Sequence, residues 1–140
     1  MDQQELRKKI ESIIDENKTG TLATVSNNKP HTRYMTFFNE DLTLYTPTSK
    51  QTHKTDEIEE NSNVHILLGY DGQGVGDEYV EIEGKAEVND SEELKDKLWN
   101  DEVAAWFDGR DDPNYTILKI QPQSIRLMNS KKIDPKTLEL

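Results

Sequence analysis

The feature that most constrains the fold is a change of hydrophobic period near residue 20. Before it, apolar residues recur at the spacing of one helix face, which predicts an amphipathic helix over residues 5–17. After it, apolar and polar residues alternate in short runs between turn residues, the pattern of antiparallel strands. The apolar positions of the helix are Leu6, Ile10, Ile13 and Ile14.

The alternating runs predict about seven antiparallel strands. We expect them at residues 21–25, 31–38, 42–46, 64–70, 78–88, 115–121 and 124–129. The first three follow one another through short turns, so we expect a meander of antiparallel neighbours.

Further helices are expected over residues 52–61 and from Ser91 onward, giving three helices in all. Many short strands with helices between them favour a closed or nearly closed β-barrel, because closure removes exposed sheet edges. The expected fold class is therefore mainly β, a barrel with flanking helices in one domain over residues 1–140.

Composition excludes several classes of function. The 140 residues include no cysteine, so no thiolate nucleophile, disulfide or sulfur-ligated metal is expected. A net charge of -11 disfavours nucleic acid and anionic lipid, which bind proteins mainly through Lys and Arg. No apolar run approaches the roughly 20 residues that cross a bilayer, and the first residues are polar. We therefore expect a cytoplasmic protein with no nucleic-acid or membrane partner.

One local pattern indicates an anion site. Thr52, His53 and Lys54 stand at a predicted helix N-terminus, where free backbone N–H groups, a hydroxyl and an ammonium favour a phosphate. Arg33, on the preceding hairpin, could add a second cation with bidentate geometry. The alternative is an ordinary helix cap and a surface arginine.

Three other patterns are interpreted as structural. The glycine run at 72–76 precedes a predicted strand and so predicts a hairpin loop, not a dinucleotide site. The acidic run at 108–112 lacks the ligand pattern of a calcium loop and predicts a solvated turn. The three histidines have no metal-ligand spacing, so no metal site is expected; they are His31, His53 and His65.

The order of several segments resembles the pyridoxamine-phosphate-oxidase superfamily of split barrels, and within it the small bacterial general stress proteins. The likeness spans nearly the whole chain and depends on the set of segments more than on any one of them. They are RYMTFF at 33–38, YT at 45–46, THKTDEI at 52–58, YVEIEGKAE at 79–87 and WFDGRDDPNY at 106–115.

This resemblance implies a split-barrel homodimer that binds flavin mononucleotide (FMN) at its interface. The phosphate would be held by the matches to Arg33, Thr52 and Lys54, with His53 between the last two. The backbone at Tyr34, Met35 and Thr36 would pass beside the isoalloxazine ring.

Other matched positions would complete the site. Tyr45 and Thr46 correspond to a strand-end pair that touches the cofactor in the family. Tyr79, Trp106 and Arg110 correspond to positions that reach the flavin from the other subunit. For Trp106 the alternative is core packing with Phe107.

The resemblance implies a flavin-dependent oxidoreductase, with no residue that can be named as catalytic acid or base. A non-catalytic flavin carrier or redox sensor is the alternative, as is binding of another cofactor such as a deazaflavin or haem. Oxidation of pyridoxamine phosphate is not expected, because the family's true oxidases carry a further basic C-terminal region and this chain ends soon after Pro135.

Overall fold

Four helices and eight strands make up the fold in the computed structural model, which describes residues 1–130 and 134–140. Helix α1 begins where Asp2 accepts a hydrogen bond from the Glu5 amide at 2.8 Å. The helices are α1 Gln3–Glu16, α2 His53–Glu60, α3 Glu92–Leu98 and α4 Asp101–Ala104. The strands are β1 Thr19–Ser26, β2 Lys29–Thr36, β3 Phe38–Glu40, β4 Thr43–Ser49, β5 Asn63–Leu68, β6 Tyr79–Asn89, β7 Tyr115–Met128 and β8 Lys136–Leu138.

All the strand pairs are antiparallel and form one sheet in the order β2-β1-β5-β6-β7-β4-β3, with β8 added beside β7. The sheet curls until its two ends meet, where the Thr46 hydroxyl on β4 donates to the Thr36 carbonyl on β2 at 2.7 Å. This curled half-barrel confirms the predicted split β-barrel fold class.

The core lies inside the curl and is closed by α1. Leu6, Ile10 and Ile14 of α1 are buried, as the helical spacing predicts. Strand β6 alternates buried and more exposed positions, with Val80 and Ile82 fully buried. No helix in the described ranges has the length and apolar character needed to cross a membrane.

The predicted strand at 31–38 is wrong in one respect, because it is two strands that are separated at Phe37. The Phe37 ring is buried, and its backbone N–H donates to the Lys18 carbonyl at 2.6 Å, one residue beyond the last β1–β2 pair of Thr19 with Thr36. Strand β2 pairs with β1, whereas β3 pairs with β4 at the opposite end of the sheet. The predicted meander of three neighbours is therefore replaced by two separate hairpins.

The two strands predicted at 115–121 and 124–129 are one strand, β7. Pro122 interrupts the pattern in the sequence, but it lies opposite Gly84 at a β-bulge, where a missing backbone N–H is tolerated. A Cβ at Gly84 would lie 2.7 Å from the Gln121 carbonyl oxygen, so this close approach requires glycine. The short strand β8 has no counterpart among the predicted strands.

Candidate functional site

The end of β2 forms one wall of an apolar cavity of about 360 Å3 through Tyr34, Met35 and Thr36. The facing wall comes from β4, at Pro47–Ser49 in the sequence, and a third side comes from the α4 segment. Trp106 and Phe107 are the aromatic side chains of that third side. The sequence predicts Trp106 here. On β4 it predicts Tyr45 and Thr46 and misses the three residues that follow them, which line the cavity instead.

A second cavity of about 710 Å3 lies between the β1–β2 hairpin and the start of α2. Its lining residues are polar or charged and carry both signs of charge. The basic ones besides Lys54 are Arg33, His31 and His53, and the acidic ones are Asp56, Glu57 and Glu60. Thr52 and Lys54 line both cavities. The two cavities therefore meet at the segment in which the sequence predicts an anion site.

Lys54 is held at this junction by two hydroxyl groups. Its ammonium donates to Thr48 Oγ1 at 2.6 Å and to Thr52 Oγ1 at 2.9 Å. Within the described residues it has no carboxylate within 4 Å. Burial lowers the pKa of Lys54 below its ordinary value of 10.5, and the nearby Arg33 charge lowers it further, against a smaller opposing effect of Glu57.

Thr52 occupies the N-cap position of α2 but does not cap it in the usual way. Its hydroxyl donates to the Ser49 carbonyl at 2.8 Å and makes no cap hydrogen bond with the helix backbone. The ordinary cap that was the alternative interpretation is thus not what this hydroxyl forms. Its oxygen is instead an acceptor for Lys54.

Arg33 is anchored on the opposite side of the junction. Its Nη1 donates to the Leu22 carbonyl at 3.1 Å and to Thr24 Oγ1 at 2.8 Å. Its Nη2 lies 3.5 Å from Glu57 Oε2. The Arg33 side chain is only 27% exposed, so Arg33 is not the ordinary surface arginine of the alternative interpretation.

Glu57 lies beside Arg33 and was not predicted as a site residue from the sequence. Its carboxylate is nearly buried and accepts a hydrogen bond from Thr24 at 2.5 Å, with His31 Nδ1 at 3.5 Å. That hydrogen bond, and then the His31 and Arg33 charges, hold the pKa of Glu57 below 4.5 although burial opposes them. The sequence feature that could have indicated this role is the position of Glu57 one helical turn after Lys54, on the same face of α2.

Trp106 is 81% exposed and lies at the cavity mouth, so it does not pack in the core as the alternative supposed. The tryptophan that packs internally is Trp99. Its ring centroid lies 5.3 Å from that of Tyr115 and 6.4 Å from that of Phe107.

Four of the predicted site residues line neither cavity in the single chain. Tyr45 is buried in a cluster beneath α3 and α4, and Thr46 is buried with its hydroxyl on Thr36. Tyr79 packs edge-on against Tyr70 at 5.6 Å. Arg110 is bound to Glu92 and Asp96. Their contact with a ligand remains a prediction.

Comparison with known proteins shows which family carries this arrangement. The family model described as pyridoxamine 5'-phosphate oxidase matches residues 6–129. The chain belongs to the pyridoxamine 5'-phosphate oxidase family. The resemblance inferred from the ordered segments is therefore confirmed.

Relatives within the pyridoxamine 5'-phosphate oxidase family include bacterial stress proteins. The chain is 59% identical to General stress protein 26 of Bacillus subtilis (strain 168), over 100% of both chains. The crystal structure of General Stress Protein 26 from Bacillus anthracis str. Sterne is 42% identical, covers 96% of this chain and 98% of that one, and superposes with a TM-score of 0.85.

More distant members of the same fold include proteins with different named cofactors. An FAD-binding protein from Mesorhizobium loti is 16% identical, with a TM-score of 0.68 over 84% of this chain and 90% of that one. A haem-binding protein from Mycobacterium smegmatis is 16% identical, with a TM-score of 0.75 over 94% of this chain and 57% of that one. At this identity the likeness shows the fold alone.

Proposed function

We propose that this chain is an FMN-binding flavoprotein whose phosphate site is formed by Arg33, Thr52 and Lys54. The observation that carries the proposal is that an apolar cavity meets a cavity lined by polar and charged side chains at Thr52 and Lys54, with the cation Arg33 on the same polar side. A flat, largely apolar ring joined to a phosphate by a short chain needs both environments side by side. Flavins have this form, and the fold family binds flavins.

The charges at the junction support an anionic group there. Arg33 and Lys54 lie close enough for the guanidinium to depress the pKa of the ammonium. Glu57 offsets the repulsion between these two cations only in part, and a phosphate dianion would relieve the rest. The start of α2 adds a favourable helix dipole despite the acidic surface.

The apolar cavity supports a flat ring beside β2. Its volume of about 360 Å3 falls in the range of small-molecule pockets. Trp106 offers an exposed aromatic face at the mouth, and aromatic faces stack well on planar rings. Within the described residues no histidine lines this cavity, so it lacks the most usual axial ligand of haem.

We further propose that the protein is a homodimer with one domain over residues 1–140. Tyr34 and Trp106 are 79% and 81% exposed beside the cavity, which leaves the ring site open in one chain. A partner chain could supply the positions that the resemblance assigns to the second subunit, Tyr79 and Arg110. A symmetric dimer would give two equivalent sites.

When bound, FMN supplies hydride or electron transfer through its isoalloxazine ring. We propose that the chain is a flavin-dependent oxidoreductase of the cytoplasm and not an oxidase of pyridoxamine phosphate. The chain's own contribution would be to bind the phosphate, orient the ring against β2 and shield it with Trp106. A non-catalytic carrier or redox sensor using the same site is the second candidate, because most side chains that line the apolar cavity are uncharged, with Lys54 and Glu102 as the two charged ones.

The proposal is tested by titrating the purified protein with FMN while recording flavin absorbance and fluorescence, with riboflavin as the matched ligand without a phosphate. We expect one FMN per chain and much weaker riboflavin binding. Equal affinity for both would remove the phosphate site, and stoichiometric binding of haem or a deazaflavin in place of FMN would replace the cofactor.

The enzyme and the carrier are distinguished by turnover of the FMN complex. Reduction by nicotinamide cofactors in stopped flow, followed by reoxidation in air, would support the oxidoreductase. Bound flavin that stays oxidised with every donor would favour the carrier.

A further inference from the structure

An imidazole and two carboxylates converge on the outer face of the sheet, away from both cavities. The strand register sets His65 of β5 directly opposite Glu83 of β6. Glu81 lies two residues before Glu83 and so projects from the same face. One ligand atom from each of the three side chains lies within 4.8 Å of the other two.

We propose that His65, Glu81 and Glu83 form a binding site for a divalent transition-metal ion of the zinc class. An imidazole nitrogen and carboxylate oxygens are ordinary zinc ligands, and three protein ligands leave a coordination position for water. Ca2+ requires six to eight oxygen ligands, more than this face supplies. The imidazole favours zinc, nickel or copper over magnesium.

The imidazole of His65 is free to act as a ligand. Its Nε2 lies 3.6 Å from Glu81 Oε1, which is beyond hydrogen-bond distance for this pair. Among the described residues it makes no hydrogen bond, and its side chain is 39% exposed. The Nε2 atom of His65 therefore lies near the Glu81 carboxylate but forms no hydrogen bond with it.

The two carboxylates already hold a cation between them. The guanidinium of Arg126 on β7 forms ion pairs with both Glu81 and Glu83. Its side chain is 37% exposed and flexible enough to turn toward solvent. A divalent ion would neutralise the two carboxylates fully, whereas Arg126 neutralises one, so the metal would take the place of the guanidinium.

The scaffold of the site is rigid, which favours a defined geometry. His65 and both glutamates stand in the interior of paired strands, not on loops. The Glu81 side chain is only 14% exposed, so its rotamers are restricted. Sequence spacing predicts no metal site because His65 and Glu81 are far apart along the chain, and the β5–β6 register brings them together.

The test is a titration of the full-length protein with Zn2+ in competition with a chromogenic chelator. We expect one Zn2+ per chain, and both His65→Ala and Glu83→Gln should weaken binding by roughly 100-fold. The matched control is the double variant His31→Ala/His53→Ala, which keeps His65 as its one histidine and should bind Zn2+ as the natural chain does. Co2+ absorbance in the visible range gives a second readout of the ligand set.

Arg126→Gln tests whether the guanidinium competes with the metal for Glu81 and Glu83. Removing the competing guanidinium should tighten Zn2+ binding by about tenfold. Unchanged affinity in His65→Ala, or loss of binding in the His31/His53 variant, would overturn the proposal. Weaker binding in Arg126→Gln would overturn it as well, because the proposal requires the metal to displace the guanidinium. Circular dichroism of each variant checks that the sheet is retained.

Discussion

The guanidinium of Arg33 lies 3.5 Å from the carboxylate of Glu57, and the buried Thr24 hydroxyl joins both. Thr24 Oγ1 accepts from Arg33 at 2.8 Å and donates to Glu57 at 2.5 Å. One of the two cations at the proposed phosphate site is thus oriented by an acid behind it. Lys54, the other, is oriented by hydroxyls alone.

Removing both cations should abolish tight FMN binding. We expect Arg33→Ala with Lys54→Ala to cost about 2–5 kcal/mol of binding free energy, since two charge-assisted contacts to phosphate are lost. The measurement is a fluorescence titration with FMN. The matched control is Lys29→Ala with Lys85→Ala, which removes the same charge from exposed positions outside both cavities. Equal affinity in the two double variants would contradict the assignment.

Glu57→Gln should reduce stability in a pH-dependent way. The pKa of Glu57 is below 4.5 in the folded state, so its carboxylate stabilises the fold above that pH, and this stabilisation is lost as the pH falls through the folded-state pKa. At neutral pH we expect the free energy of unfolding to fall by about 1–3 kcal/mol. The difference from the natural chain should shrink below pH 4.5, as measured by urea unfolding.

The control for this change is Glu59→Gln, an exposed residue of the same helix. It should alter stability by less than about 0.5 kcal/mol at any pH. A loss in Glu57→Gln that stays constant into acid would show that the carboxylate charge is not the stabilising feature.

FMN affinity should decline at alkaline pH through Lys54. Because burial and the Arg33 charge hold the pKa of Lys54 below 10.5, its ammonium loses its proton earlier than an ordinary lysine. We expect the advantage of the natural chain over Lys54→Ala to narrow as the pH rises toward 10.5. Comparing the two chains at each pH cancels the titration of the flavin itself. An advantage that stays constant across this range would count against a charged Lys54 at the phosphate.

Substitution of Trp106 should affect mainly FMN binding, whereas substitution of Trp99 should affect mainly the stability of the fold. Trp106→Ala should leave the free energy of unfolding within about 0.5 kcal/mol, because the side chain is exposed, and weaken FMN binding by about 0.5–1.5 kcal/mol. Trp99→Ala should lower stability by about 2 kcal/mol or more through its contacts with Phe107 and Tyr115. Chemical unfolding and FMN titration of both variants check this contrast.

Much of the fold could be predicted because its signals are local. The period of α1 and the alternation in β6 depend only on which side chains face the core, and both are confirmed. The end of β2 at Thr36 could not be predicted, since Phe38 leaves β1 and pairs with Tyr45 of β4, a change of partner strand that depends on the folded sheet. Pro122 gave a misleading strand boundary because its tolerance depends on the bulge opposite.

In the candidate site, too, some residues could be predicted from local sequence and others could not. Thr52 and Lys54 could be predicted from helix-terminus chemistry, and the structure places both at the junction of the cavities. The Glu57–Thr24 contact could not, because the two residues are joined by packing of α2 on β1. Tyr45 and Thr46 point to opposite faces of β4, and both are buried because that strand is covered on both faces, which its sequence does not show.

The walls of the apolar cavity come from opposite ends of the strand order, β2 at one end and β4 with β3 at the other. Apart from the short chain link through Phe37, the two ends are joined by the hydrogen bond from the Thr46 hydroxyl to the Thr36 backbone carbonyl. A molecule bound between these walls would contact both ends of the sheet and hold them together. A bound ligand would therefore slow amide hydrogen exchange in β2 and β4 together. Exchange rates in these two strands would then report whether the cavity is occupied.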